Sequence, residues 1–225
     1  FLIRWWGIEE AMLDLCLRPE MVHYAYEKMV DAWMHELDQF EAQNLLSLDC
    51  NNTRIGSGGY GYTSELPGSD FDANHVRPIN MWGCSNAQIF TSVSPEMHCE
   101  FAIEHDLRWL KRFGLTYYGC CEPLDKKAEI LSHIPNLRKV SASARVDIEK
   151  AVDNLGDKYV LSRKPSPAIF VSWDIEEARN QLLAFKQAAK GCNVEFIMKD
   201  ISTLNYRPQR LWEWADMAMK VVNEG

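Results

Sequence analysis

From Ser94 onward, apolar and polar positions fall into alternating helical and extended periods. The pattern predicts a helix over about 95–113 closed by Gly114, a strand over 115–120, a helix over 124–133, a strand over 137–143, a helix over 147–155 closed by Gly156, and a strand over 158–163. Asp174 and Glu177 have capping-box spacing and open a helix to about Lys190, which Gly191 ends; Val194 to Met198 reads as a strand, and Pro208 opens a last helix. Upstream, Pro19 to Gln43 keeps one apolar face through Met21, Tyr24, Ala25, Met29, Trp33, Leu37 and Phe40, and Leu45 to Cys50 reads as a short strand. Residues 51–80 carry repeated Gly and Pro with no sustained period, which predicts a long loop of the kind used as a lid or binding segment.

Repeated strand-helix units need parallel strands joined by right-handed crossovers. An α/β fold follows, either a (β/α)8 barrel or an open doubly wound sheet. No GxGxxG follows a strand, so the barrel is favoured over a dinucleotide fold. About five strands are visible, and a complete barrel takes roughly 250 residues. The chain opens without Met and runs at once into Gly7 to Leu15, as if in mid-domain. Residues 1–225 are therefore expected to be one domain, the C-terminal part of a TIM-like barrel whose N-terminal strands are missing.

With 47% hydrophobic and 25% charged residues the chain can bury a substantial core. Its net charge of -8, with Lys and Arg scattered, gives no footprint for nucleic acid or an anionic membrane. No apolar run nears the roughly 20 residues of a membrane span, and Phe1 to Trp6 is too short for a signal peptide. A cytoplasmic protein with a small-molecule substrate is expected. The seven cysteines are odd in number and read as reduced thiols, and no CxxC or HExxH is present.

Chemistry is expected at Tyr117-Tyr118-Gly119-Cys120-Cys121-Glu122-Pro123, where a strand stops, because strand carboxyl ends open onto the ligand crevice in such folds. Continued alternation would aim Tyr118, Cys120 and Glu122 to one side. A thiol with pKa about 8.5 needs activation, and zinc held by Cys120, Cys121 and a third ligand such as Asp200 would supply it. Lys164 and Lys199 stand at two further strand ends. Tyr60 in the loop, with Trp82 and Gln88 after it, are candidates for the substrate wall, although aromatics there more often fill a core. The cysteine pair also has an inert reading as buried small residues or a vicinal disulfide, and His98, Cys99 and His105 lie within a helix, where such residues are usually structural.

The segments Gly56 to Thr63, Glu65-Leu66-Pro67, Ser94 to Met97, Tyr118 to Pro123, Ile134 to Arg138 and Met198-Lys199-Asp200 resemble the uroporphyrinogen decarboxylase-like superfamily, which includes cobalamin-dependent methyltransferases. The resemblance covers essentially the whole chain and implies a (β/α)8 barrel of a branch distinct from the haem-pathway enzyme. It further implies a zinc site in which Cys120 corresponds to a ligand, Tyr118 stands where the methyltransferases have His, and Lys199-Asp200 falls near their last thiolate. Cys121 and Glu122 would supply what is absent. The activity it implies is zinc- and thiolate-dependent methyl transfer, with Cys120, Cys121, Glu122 and Asp200 at the centre, a methylcorrinoid as co-substrate and a corrinoid protein as partner. The alternatives are a metal-free decarboxylase or lyase of a polycarboxylate, which calls for a basic pocket, and a non-catalytic binding barrel. The open edges of a partial barrel would call for a partner surface, and a second copy of the chain could supply it.

Overall fold

The computed structural model describes residues 3–224. Three N-terminal helices come first, α1 (Ile3–Trp6), α2 (Ile8–Leu17) and α3 (Pro19–Ala42), the last begun by Pro19 where a missing amide costs nothing. A two-stranded antiparallel hairpin follows, β1 (Arg54–Ile55) with β2 (Gly59–Tyr60). Then come β3 (Trp82–Ser85), α4 (Pro95–His98), a π-helical turn (Cys99–Ile103) and α5 (Glu104–Leu110). The remainder alternates: β4 (Leu115–Tyr118), α6 (Ala128–Leu131), β5 (Leu137–Ala142), α7 (Ile148–Leu155), β6 (Val160–Arg163), α8 (Ile169–Ser172), α9 (Ile175–Ala188), β7 (Val194–Phe196) and α10 (Gln209–Asn223).

Strands β3 to β7 form one five-stranded parallel sheet in chain order, without the order reversal of a doubly wound fold. Two expectations change. The apolar run at 45–50 is not a strand: it finds no ladder, and Asp49 instead accepts the backbone amide of Trp82. The strand that takes its place in the count is β3, and the helix expected over 124–133 shrinks to the four residues of α6.

Register assigns the two faces. Tyr118, Val140, Ala142, Leu161 and Phe196 point to the helices, where Ile103, Leu110, Leu131, Leu155 and Phe185 complete the main core. Tyr117, Lys139, Ser141, Ser162 and Glu195 point the other way, an unusually polar set for a parallel sheet. The hairpin covers this second face. Gly56 lies so near the Tyr117 ring that a Cβ would sit 2.4 Å from it, and the Lys139 ammonium holds the hairpin by donating to the Tyr60 carbonyl at 2.5 Å and to Glu195 at 3.0 Å. A small apolar cluster of Ile55, Leu66, Trp82, Leu115 and Tyr117 seals that side. Within the stretch expected as a loop, the hairpin is fastened to the sheet at one end of the polar row, and residues 61–77 form no regular element. Among the described residues no helix is long and apolar enough to cross a membrane.

Candidate functional site

Four strand ends converge on one cavity of about 280 Å³, whose lining includes Cys120 and Cys121 after β4, Arg145 after β5, Lys164 after β6, and Lys199 with Asp200 after β7. At its floor Lys164 is buried, and its ammonium donates to Ser57 Oγ at 2.5 Å, Tyr117 Oη at 2.5 Å and Ser141 Oγ at 2.7 Å. Three protons thus meet three hydroxyl oxygens. Two of those hydroxyls pass their own protons on, Ser57 to the Gly119 carbonyl at 2.7 Å and Ser141 to the Cys120 carbonyl at 2.5 Å. Burial pulls Lys164 down to about 8, so it can both hold and release a proton near neutrality.

Above it, the Lys199 ammonium lies 3.2 Å from Cys120 Sγ and 3.1 Å from Asp200 Oδ2. Burial lowers the Lys199 pKa, but the hydrogen bonds to Cys120 and Asp200 more than offset it, and the net shift is upward. Lys199 stays a cation. Cys121 Sγ lies 3.7 Å from Cys120 Sγ and 4.0 Å from Asp200 Oδ2, and burial followed by its contact with Cys120 raises its thiol pKa.

The structure brings Cys120, Cys121, Lys164, Lys199 and Asp200 together, and separates the other residues singled out above. Gly119, at φ +99°, breaks the strand alternation, so Tyr118 and Cys120 do not share a side. Tyr118 turns under the helices and Cys120 faces Lys199. Glu122 is fully buried and spends its two carboxylate oxygens on the amides of Ala87 at 3.1 Å and Cys120 at 2.8 Å; it ties the turn to the end of β3. Trp82 is in the core, its indole donating to the Gly61 carbonyl at 2.9 Å, while Tyr60 is outside the cavity lining and its carbonyl accepts from Lys139 instead. Gln88 lines a different hollow. Sequence reasoning missed Ser57, Ser141 and Arg145, and gave Tyr117, although inside the stretch singled out, no role of its own. A signal existed for Arg145, three residues beyond β5, but none for a hydroxyl shell drawn from three separate segments.

The implied zinc does not fit the side chains as they stand. Among the described residues no group of three or more His, Cys, Asp or Glu side chains is placed to hold a metal ion. The ammonium of Lys199 already bridges Cys120 and Asp200, two of the three expected ligands, and would oppose a dication between them. A corrin ring also exceeds a cavity of about 280 Å³, so a methylcorrinoid could reach the sulfurs only from the mouth.

Beneath the turn lies a second buried network. His98 Nδ1 is 2.8 Å from the Lys127 ammonium, a donor only, so Nδ1 is the acceptor and Nε2 carries the proton toward Tyr118 Oη at 2.7 Å. Lys127 also donates to the Phe90 carbonyl at 2.8 Å. Burial, then the Lys127 charge, depresses His98 to about 3. The folded state refuses a proton that the unfolded chain accepts near the ordinary histidine value of about 6.5, so this contribution is full above that pH and is lost as pH falls toward about 3. Replacing His98 by Gln is expected to flatten the loss of stability across that window, as urea denaturation at stepped pH would show. An unchanged acid limb would mean that another group carries it.

No protein-family model, curated protein or solved structure matches the chain.

Proposed function

We propose that the chain is a metal-free decarboxylase or lyase acting on a small substrate with several carboxylates, built on part of a (β/α)8 barrel. The observation that carries this reading is the meeting of Arg145, Lys164 and Lys199 in one cavity. Arg145 and Lys199 would neutralise carboxylates, Arg145 through its planar fork. When one carboxylate leaves as CO2, the bonding electrons stay on carbon. A proton from Lys164 quenches that carbanion, and solvent returns the proton to the lysine afterwards. A pKa near 8 suits both halves of this cycle. The sequential strand order and the site's place at the carboxyl edge support the barrel.

Methyl transfer remains the second reading, and two observations favour it: Cys120 Sγ accepts a hydrogen bond from the Lys199 ammonium at 3.2 Å, and a second sulfur lies 3.7 Å away. Calorimetric titration separates the two. Tricarballylate, with three carboxylates, should bind saturably, and Lys199→Met and Arg145→Met should each weaken it by about tenfold, the order expected for losing one charged hydrogen bond. Its trimethyl ester should not bind. Stoichiometric zinc uptake lost in Cys120→Ser, with no binding of tricarballylate, would overturn the lyase reading and favour methyl transfer with a corrinoid protein as partner.

A further inference from the structure

Away from the cysteine cavity, two adjoining hollows of about 500 and 170 Å³ open between α3, α5 and the end of β3, and they share Trp33, Ser85, Asn86 and Asp106. Their chemistry is the reverse of the first site. Neither lining includes Lys, Arg or His; both include aromatic faces, Trp33 and Trp109 in the larger and Tyr26 with Trp33 in the smaller, and carboxyls come from Asp106 and Glu36.

Asp106 is the informative residue. Its side chain is buried, and Oδ2 takes a hydrogen bond from Ser85 Oγ at 2.5 Å. Among the described residues no cationic side chain forms an ion pair with it, whereas Arg108 and Arg112 on the same stretch are engaged by Asp31, Asp38 and Glu41 of α3. Burial pushes Asp106 up to about 6, against the Ser85 hydrogen bond, so it is mostly ionised at pH 7 and above. A buried carboxylate without a counter-charge is costly, and such groups ordinarily find a partner. Here the carboxylate shares its hollow with aromatic side chains, Trp33 and Trp109 in the larger part and Tyr26 in the smaller, and the electron-rich faces of such rings attract diffuse organic cations more effectively than strongly hydrated ions.

We propose that this hollow binds a small organic cation, a quaternary or protonated amine, with Asp106 as the counter-charge and Trp33 and Trp109 as the walls. The site is distinct from the cysteine cavity and does not depend on the function assigned there. It also gives Gln88, in the smaller hollow's lining, a place in ligand binding.

Choline is the probe, followed by the fluorescence of the wall tryptophans. Its uncharged counterpart of the same shape, 3,3-dimethylbutan-1-ol, and potassium chloride at equal ionic strength serve as controls. Choline should give a saturable change, the alcohol should bind at least tenfold more weakly, and the salt should produce none. Asp106→Asn, which keeps an acceptor for Ser85, should lose at least tenfold in choline affinity while tricarballylate binding at the other cavity is unchanged. Should that variant fail to fold, Trp109→Leu provides the same comparison at the aromatic wall. Equal binding of choline and the alcohol, a matching response to salt, or full choline affinity in the folded variant would overturn the proposal.

Discussion

Replacing Lys164 by methionine is expected to lower turnover of a carboxylated substrate by about 10²- to 10⁴-fold, the range for loss of a positioned acid or base. Affinity should change far less, because Arg145 and Lys199 remain to meet the carboxylates. Methionine keeps the length of the stem without a proton to give. The three hydroxyls it leaves are near one another, Ser57 Oγ and Tyr117 Oη being 3.2 Å apart, and can pair among themselves. The pH profile of the wild type supplies a readout that mere misfolding would not reproduce. The ammonium form is the acid, so kcat should be level below about 8 and fall above it. In Lys164→Met the small residual rate should lose that descending limb. Turnover retained at the wild-type level, or an unmoved limb, would place the proton donor elsewhere and remove the basis of the carbon-acid mechanism.

The parts of this arrangement that the sequence announced are those written in long apolar periods. Helices α3, α7 and α9 begin and end within about two residues of where their periodicity and caps place them, and α10 begins one residue after Pro208, with Asp147 and Asp174 accepting the amides of Lys150 and Glu177 as N-caps should. Strands β4 to β7 were legible for the same reason. Trp82–Ser85 was not, because Trp-Gly-Cys-Ser offers no alternating pattern and no β-branched residue, and only its pairing with β4 makes it a strand. Conversely Leu45 and its neighbours look like a strand but have no partner. For the site, position just after a strand found Cys120, Lys164, Lys199 and Asp200, since in this topology such residues must gather at one edge. What local spacing could not give was the direction of each side chain once the strand had ended. The reasoning that aimed Tyr118 and Cys120 together assumed unbroken alternation, and Gly119 breaks it. The row of Lys139, Ser141 and Lys164 under a glycine hairpin is likewise a property of strands paired across the sheet, invisible to any window along the chain.

Gly119 therefore supports the second large prediction. Gly119→Ala should cost about 2–4 kcal/mol, combining a left-handed backbone at φ +99° with steric conflict. A Cβ there would stand 2.6 Å from Leu124 Cδ1 and 3.0 Å from Ser141 Cβ. Leu124 is fully buried in the main core and cannot simply swing aside, and Ser141 carries the hydroxyl that links Lys164 to the Cys120 carbonyl. The damage should thus reach the chemistry as well as the fold. Gly191→Ala is the matched control: its φ is +90°, yet nothing lies within 4 Å of its added Cβ, so it should cost only the backbone strain, about 1 kcal/mol. Urea denaturation of the two variants isolates the packing contribution as their difference. Turnover of the folded protein should fall in Gly119→Ala and stay unchanged in Gly191→Ala. Equal destabilisation would mean that the turn has room to relax, and that Cys120 is held by Glu122 and Lys199 rather than by the close packing of its own backbone.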